Sequence, residues 1–186
     1  MNVRLIVILL AGLAIGALLA WLLVAGSSQV VPVAEVLQAE PPPTPTPAPE
    51  QRITIFFAGV DGLLHPEIRT VPLPEETTAR IRIVFAELLA GPQGPLQPIL
   101  PYPAELRTVF VSPEGRVYLD LTGPPEALEG SATELMLIYG VVNSILLNTE
   151  AVAVQILFDG TEKSTLTGHL DLSRPLVLNK HLIGTS

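Results

Sequence analysis

The sequence contains no cysteine. This excludes disulfide bonds, thiolate metal sites, a cysteine nucleophile and lipid attachment through cysteine. Charged residues are scarce, and basic ones are the scarcer kind, since 10 Lys and Arg stand against 18 Asp and Glu. The net charge of −8 disfavours nucleic acid and anionic lipid as main partners, because Lys and Arg hold both.

Histidine is also rare, and its positions argue against a metal site. His65, His169 and His181 lie far apart and lack the short spacing of zinc ligands. His169 and Asp171 alternate in a polar tail, where we interpret them as solvated. The sequence also lacks a serine nucleophile elbow, a phosphate-binding glycine loop and a zinc-protease helix. We therefore predict no metal site, no cofactor and no catalytic residue of these kinds.

One long apolar run is present at the N-terminus. Leu5–Ala25 follows Arg4, and no Lys or Arg comes after the run until Arg52. As a helix the run would reach about 32 Å, enough to cross a hydrocarbon core of about 30 Å. The positive-inside bias places the N-terminus in the cytoplasm and the rest of the chain outside the membrane. The alternative is a signal peptide cleaved near Ala25-Gly26-Ser27, but the length favours a retained single-pass anchor over residues 1–25.

A proline-rich linker follows over residues 26–50. Its core, Pro41–Pro49, predicts an extended polyproline II spacer, because proline fixes φ and removes amide donors. The proline-rich part alone would project the next domain roughly 25 to 30 Å from its tether. A ligand for SH3 or WW domains is the alternative for such a tract, and it is disfavoured because those domains are mostly intracellular. Residues 51–186 then suffice for one domain with its own core.

The folded region begins with two predicted strands and a helix. Ile53–Phe57 is a β-branched and aromatic run, which favours a strand. Glu67–Val71 alternates polar and apolar residues, as a half-buried strand does. Apolar residues then recur at helical spacing from about Glu75 to Ala90. Gly91–Pro103 reads as an irregular, proline-rich loop.

The second half continues with a hairpin and another helix. Leu106–Val111 and Arg116–Leu121 are predicted to pair as a β-hairpin. Ser131 and Glu134 have the spacing of a capping box, which predicts a helix that begins there. We expect a left-handed stop at Asn148.

The last predicted element is an interior strand. Val152–Phe158 is the most apolar segment of the domain, and a final strand is predicted near Leu176–Leu178. Two amphipathic helices on one face of a mostly antiparallel or mixed sheet would bury both apolar stripes. The predicted fold class is α+β, a two-layer sandwich, preceded by one transmembrane helix and the Pro-rich stalk.

These segments, in this order and spacing, resemble the GerMN domain of bacterial sporulation and spore-germination proteins and of related envelope lipoproteins. The segments that carry the resemblance are Ile53–Phe57, Leu63–Val71, Leu88–Pro92, Leu100-Pro101, Gly115–Leu121, Tyr139–Ile145 and Val154–Gly160. The resemblance covers essentially the whole exported domain. It implies an extracytoplasmic envelope module without established enzymatic activity, often attached to a membrane or lipid anchor, that takes part in assembly or ligand contacts.

The sequence departs from that family pattern in three respects. It holds one domain copy where germination proteins often have two, and it has no lipid-accepting cysteine. Ser144-Ile145 also stands where Thr-Leu is more often expected, a change that a packed helix tolerates. The resemblance brings no catalytic residues to carry over.

The densest polar cluster comprises Asp61, His65, Glu67 and Arg69. We interpret it as surface ion pairs beside a turn, with Arg69 able to fix the loop by bonding carbonyls. The alternatives are a grip on a carboxylate or sugar ligand, or partner contact, by these four residues. An acid–base pair of His65 and Glu67 is chemically feasible.

Two further carboxylates, Asp120 and Asp159, occupy turn positions. There aspartate commonly bonds neighbouring backbone amides. A two-carboxylate hydrolase or cation site would require them to lie within about 5 to 10 Å of each other. We expect the structural role.

The sequence therefore predicts a membrane-anchored, extracytoplasmic protein of the bacterial envelope that mediates assembly or ligand binding. Its partners would be envelope proteins or a second copy, reached through an open strand edge such as Ile53–Phe57 or the Leu176 segment. The alternatives are cell-wall glycan binding or hydrolysis through the polar cluster, and a domain that only spaces another complex.

Overall fold

The computed structural model describes residues 48–100, 103–122 and 130–184. The predicted anchor and all but the end of the predicted linker lie outside the described residues. The elements are β1 (Glu50–Ala58), β2 (Leu64–Pro72), α1 (Thr77–Leu89), β3 (Leu106–Val111), β4 (Arg116–Leu121), α2 (Ser131–Asn148), β5 (Ala153–Phe158), β6 (Thr161–Glu162) and a 3₁₀ turn (Lys180–Leu182).

The strands form two separate sheets. β1 and β2 make an antiparallel two-stranded sheet, and β3, β4, β5 and β6 make a four-stranded sheet in that order. In the larger sheet β3 is antiparallel to β4, β4 is parallel to β5, and β5 is antiparallel to β6. The α+β class is confirmed, but the expectation of one sheet covered on one face is wrong.

The two sheets stay apart because the outer edge of β1 is already occupied. The side-chain amide of Asn148 on α2 donates to the Thr54 carbonyl at 2.6 Å and accepts from the Thr54 amide at 2.9 Å. The Ser144 hydroxyl accepts from the Phe56 amide at 3.0 Å. Ala58 exchanges two backbone bonds with Gln97, at 2.8 and 3.0 Å. The predicted open edge at Ile53–Phe57 is therefore wrong.

Helix α1 begins at Thr77, two residues after the predicted start. Glu76 has an extended backbone at the N-cap, and its carboxylate accepts from the amides of Thr78 at 2.9 Å and Ala79 at 2.6 Å. An N-cap residue is non-helical while its side chain bonds the free amides of the first turn. This contact fixes the start of the helix.

Helix α2 begins at Ser131 as predicted, but the predicted capping box is wrong. Gly130, with φ of 91°, is the N-cap residue, and no side chain caps this end. The Glu134 carboxylate accepts instead from residues 165–169. At the other end Asn148 remains helical and Thr149 is extended, so the left-handed stop is also wrong.

The core lies between α2 and both sheets. By length and composition α2 would suffice to cross a membrane, yet most of it is buried within the domain. The buried apolar side chains of the core come mainly from α1, α2, β1, β4 and β5. The predicted strand near Leu176–Leu178 is reduced to one bridge, in which Leu176 and Val154 exchange backbone bonds of 2.7 and 2.8 Å.

Candidate functional site

The four residues of the predicted polar cluster form two separate groups. The first group is Asp61 and His65, whose side chains approach to 2.9 Å at the turn between β1 and β2. The hydrogen bond from His65 is the main cause that lowers the pKa of Asp61. Gly59 and Gly184 lie against the imidazole, since a Cβ on either would come within 2.5 Å of a ring carbon.

The second group is centred on Arg69, which is 6% exposed. Its guanidinium donates to the carboxylates of Glu67 and Glu87, with shortest distances of 2.5 and 2.8 Å. It also donates to the backbone carbonyls of Glu87 at 3.0 Å and Gly91 at 2.5 Å. Burial opposes the charge, but the bonds to Glu87 and Glu67 outweigh it and raise the pKa of Arg69.

Arg69 thereby joins strand β2 to the C-terminal end of α1. The Glu67 carboxylate extends this connection by accepting from the Gln93 amide at 3.0 Å. The guanidinium carbon also lies 5.4 Å from the centre of the Phe57 ring, within cation–π range. The predicted carbonyl bonds of Arg69 are present. His65 bonds Asp61 while Glu67 bonds Arg69, so the structure does not bring His65 and Glu67 together as an acid–base pair.

Asp120 and Asp159 are brought together by a shared arginine. Arg107 lies 3.7 Å from the Asp120 carboxylate and donates to Asp159 at 3.0 Å. Asp120 also accepts from the Gly160 amide at 2.7 Å. The amide that Asp120 accepts from lies 40 residues along the chain, so it is not the neighbouring amide that a turn position predicts.

Sequence reasoning missed the most strongly held carboxylate, Glu134. Its side chain is fully buried and accepts five hydrogen bonds from the segment 165–169, which the capping-box interpretation did not anticipate. The donors are the hydroxyls of Thr165 and Thr167 and the amides of Leu166, Thr167 and His169, at 2.6 to 3.3 Å. Burial alone would raise the pKa of Glu134, but these bonds lower it to about 2.

The polar residues in the middle of α2 were also missed as binding groups. The buried Asn143 side chain donates to the Asn179 carbonyl at 3.1 Å and accepts from the Asn179 amide at 2.9 Å. On the same helix, Ser144 accepts from the Phe56 amide of β1, and Asn148 bonds both backbone groups of Thr54. An amide on an otherwise apolar helix is the available signal, because a buried amide must find partners in both directions.

We consider two surface features as binding sites, the outer edge of β2 and a shallow groove beside the β1–β2 turn. Within residues 48–100, 103–122 and 130–184, β2 pairs only with β1, apart from one bridge at Leu64. A groove of about 340 Å³ lies between the β1–β2 turn, the loop at 97–99 and the first turn of α2. Its lining contains no ionisable side chain. The described part of the chain also holds no group of three or more His, Asp or Glu side chains that could bind a metal ion.

Comparison with known proteins identifies one family. The model of the family described as "Germane: Sporulation and spore germination" matches residues 54–164. No curated protein sequence matches the chain significantly.

Two of the solved structures that match the fold come from different bacteria. A Clostridium perfringens protein described as a lipoprotein aligns with a TM-score of 0.50 and 20% identity, over 69% of this chain and 87% of that one. The tandem GerMN domains of the Bacillus subtilis sporulation protein GerM align with a TM-score of 0.54 and 14% identity. That alignment covers 74% of this chain and 48% of the tandem structure.

Proposed function

The chain belongs to the Germane family of sporulation and spore germination domains, and on that premise we propose that it is a sporulation-related protein of the bacterial envelope. Its domain mediates protein assembly and catalyses no reaction. The apolar run at residues 5–25 anchors it as a single-pass protein with a cytoplasmic N-terminus, and the linker presents the domain outside the membrane. The description of one structural neighbour as a lipoprotein supports attachment to a membrane.

One observation carries the assembly role. The ionisable groups of the polar cluster are bonded within the fold, whereas within the described residues the outer edge of β2 pairs with no further strand, apart from the bridge at Leu64. A catalytic or ligand-binding group needs a free atom to offer to its substrate. An open strand edge instead offers a row of backbone donors and acceptors, which another protein strand fits.

Glycan binding or hydrolysis through the polar cluster is less well supported. Arg69 is held by two carboxylates and two carbonyls, so it would have to exchange these partners for a sugar or carboxylate ligand. Asp61 and His65 are hydrogen-bonded to one another at a turn. These contacts suit a scaffold better than a binding cleft.

The location is tested with the full chain, tagged at its C-terminus, in a bacterial host. We expect the protein in the membrane fraction and its domain open to protease added to cells stripped of their wall. Ala14→Arg with Ala17→Arg is the control, because each arginine at the centre of a membrane helix costs about 3 kcal/mol. Recovery of the unaltered chain in the cytoplasm would overturn the anchoring.

The assembly role is tested by cross-linking the full chain with formaldehyde in intact cells before lysis. We expect species heavier than the monomer, and no soluble fragments when the purified protein is incubated with peptidoglycan. Release of fragments that depends on Glu67 or Asp61 would replace the proposal with glycan hydrolysis. A monomer alone in the cross-linked envelope would also overturn it.

A further inference from the structure

The free edge of β2 is defined by its pairing with β1. Ile53, Ile55 and Phe57 of β1 lie opposite Arg69, Glu67 and His65. The amides of Thr54, Phe56 and Ala58 bond groups on the far side of β1, away from β2. In an antiparallel pair such alternation places the backbone groups of the even-numbered β2 residues on the outer edge. These residues are Leu64, Pro66, Ile68, Thr70 and Pro72.

This edge is open over a short length. At one end Leu64 is already used, because its carbonyl accepts from the Gly184 amide at 2.9 Å. Pro66 and Pro72 have carbonyls but no N–H. Ile68 and Thr70 between them have both groups, and neither has another partner within the described ranges. The Ile68 side chain is 65% exposed, so the centre of the edge is apolar and accessible.

We propose that this edge pairs with the same edge of a second copy of the chain, antiparallel, about a two-fold axis at Ile68. This inference rests on the proposed assembly role and names its partner. The result is a four-stranded sheet, in the order β1, β2, β2 of the second copy and β1 of the second copy. An open edge strand is a ready template for such pairing, and a two-fold interface uses the same surface on both copies.

The side chains of β2 favour this register. With Ile68 opposite Ile68 of the second copy, two exposed apolar side chains cover each other. Glu67 and Arg69 then lie opposite Arg69 and Glu67 of the second copy, so that no like charges are directly opposed. A shift of the register by two residues would place Arg69 opposite Arg69, and like charges in that position are unfavourable.

Pro66 is compatible with the same register, but it limits the number of hydrogen bonds between the two strands. Ile68 exchanges two hydrogen bonds with its counterpart, and each Thr70 amide donates to the Pro66 carbonyl opposite. Four backbone hydrogen bonds therefore form. The carbonyl of each Thr70 gains no partner, because Pro66 opposite it has no N–H. Such a short interface suits proteins tethered to one membrane, where the local concentration of copies is high.

The pairing is tested by disulfide cross-linking of single-cysteine variants, since the chain itself has no cysteine. In the full chain, embedded in membranes, Ile68→Cys introduces a single thiol that can form a disulfide only with another molecule. A directly opposed hydrogen-bonded pair has Cα atoms about 5.5 Å apart, within the range of a disulfide. Mild oxidation should produce covalent dimers. Val60→Cys is the matched control, since Val60 is 93% exposed at the neighbouring turn.

We expect at least roughly fivefold more dimer from Ile68→Cys than from Val60→Cys, because only the first thiol lies at the axis. Adding Thr70→Pro to Ile68→Cys removes two of the four backbone bonds and should lower the yield roughly tenfold. Proline is tolerated at the edge of a sheet. Adding Pro66→Ala instead supplies two more N–H donors and should raise the yield. Circular dichroism checks that each variant folds.

Equal yields at positions 60 and 68 would overturn the pairing, and so would a yield at position 68 that Thr70→Pro leaves unchanged. The assembly role has its own readout in the formaldehyde experiment. If heavier species form there while Ile68→Cys gives no dimer, the partner is another protein and only the pairing is wrong. If both experiments show monomer alone, both proposals fall.

Discussion

Asn148 bonds both backbone groups of Thr54 with one side-chain amide, across 94 residues of sequence. The side-chain amide bonds the backbone of β1 as a neighbouring strand of a sheet would. Ser144, one turn earlier on the same helix, bonds the Phe56 amide. Helix α2 thus closes an edge that would otherwise be as open as that of β2.

Asn148→Ala should destabilise the domain by about 2 kcal/mol, because it leaves the Thr54 amide and carbonyl without partners at a partly buried position. Urea unfolding at pH 7 measures the change. Leu147→Ala, at an exposed neighbouring position, should cost much less. Equal losses in the two variants would show that the Thr54 bonds contribute nothing specific.

Glu134 should make the domain acid-sensitive. Its folded pKa of about 2 lies below the ordinary 4.5, so its stabilisation is fully present above about pH 5 and disappears as the pH falls towards 2. The difference corresponds to about 3 kcal/mol. Urea unfolding from pH 7 to pH 3 should show a steeper loss for the unaltered protein than for Glu134→Gln. Parallel curves would contradict the prediction.

Arg69→Ala should cost about 3 to 4 kcal/mol, because it leaves two carboxylates and two carbonyls without their shared donor. Arg69→Lys should recover only part of the loss, since an ammonium cannot reach four acceptors in a planar arrangement. The measurement is again urea unfolding, with Arg82→Ala on the exposed face of α1 as control. If Arg69→Lys restored the full unfolding free energy, the positive charge alone would account for the stabilisation.

Gly140 allows the loop at Ile99 to lie against α2, since a Cβ on Gly140 would stand 2.5 Å from Cδ1 of Ile99. Gly140→Ala should therefore cost about 1 to 3 kcal/mol through overpacking. Ile99→Val removes that methyl group, so the two changes together should cost less than the sum of the single changes. Strict additivity of the unfolding free energies would show that the contact is not limiting.

The elements of this fold follow from local patterns, whereas their arrangement does not. Periodicity located α1, α2 and most strands within a few residues. The division into two sheets depends on hydrogen bonds from α2 side chains to β1. The bonded residues are 88 to 94 positions apart, so no local pattern predicts these bonds. Asn143 and Ser144 look unremarkable in the sequence because their partners lie 36 and 88 residues away.

The candidate site shows the same division. Asp61 pairs with His65, four residues along the chain, and Arg69 pairs with Glu67, two residues along the chain, so those contacts were accessible from spacing. Glu134 was misread because Ser-x-x-Glu is a local signal for a capping box. Five bonds from residues 165–169 outweigh that local preference, and they exist only in the folded chain.

The bridge between Leu64 and Ile183 ties the first hairpin to the last described residues. Contacts between distant parts of a sequence form late, because closing the large loop between them costs conformational entropy before the contacts can stabilise the chain. A ribosome releases the hairpin well before Ile183. The newly made chain therefore lacks the final contacts of β2 until the segment around Ile183 has been synthesised.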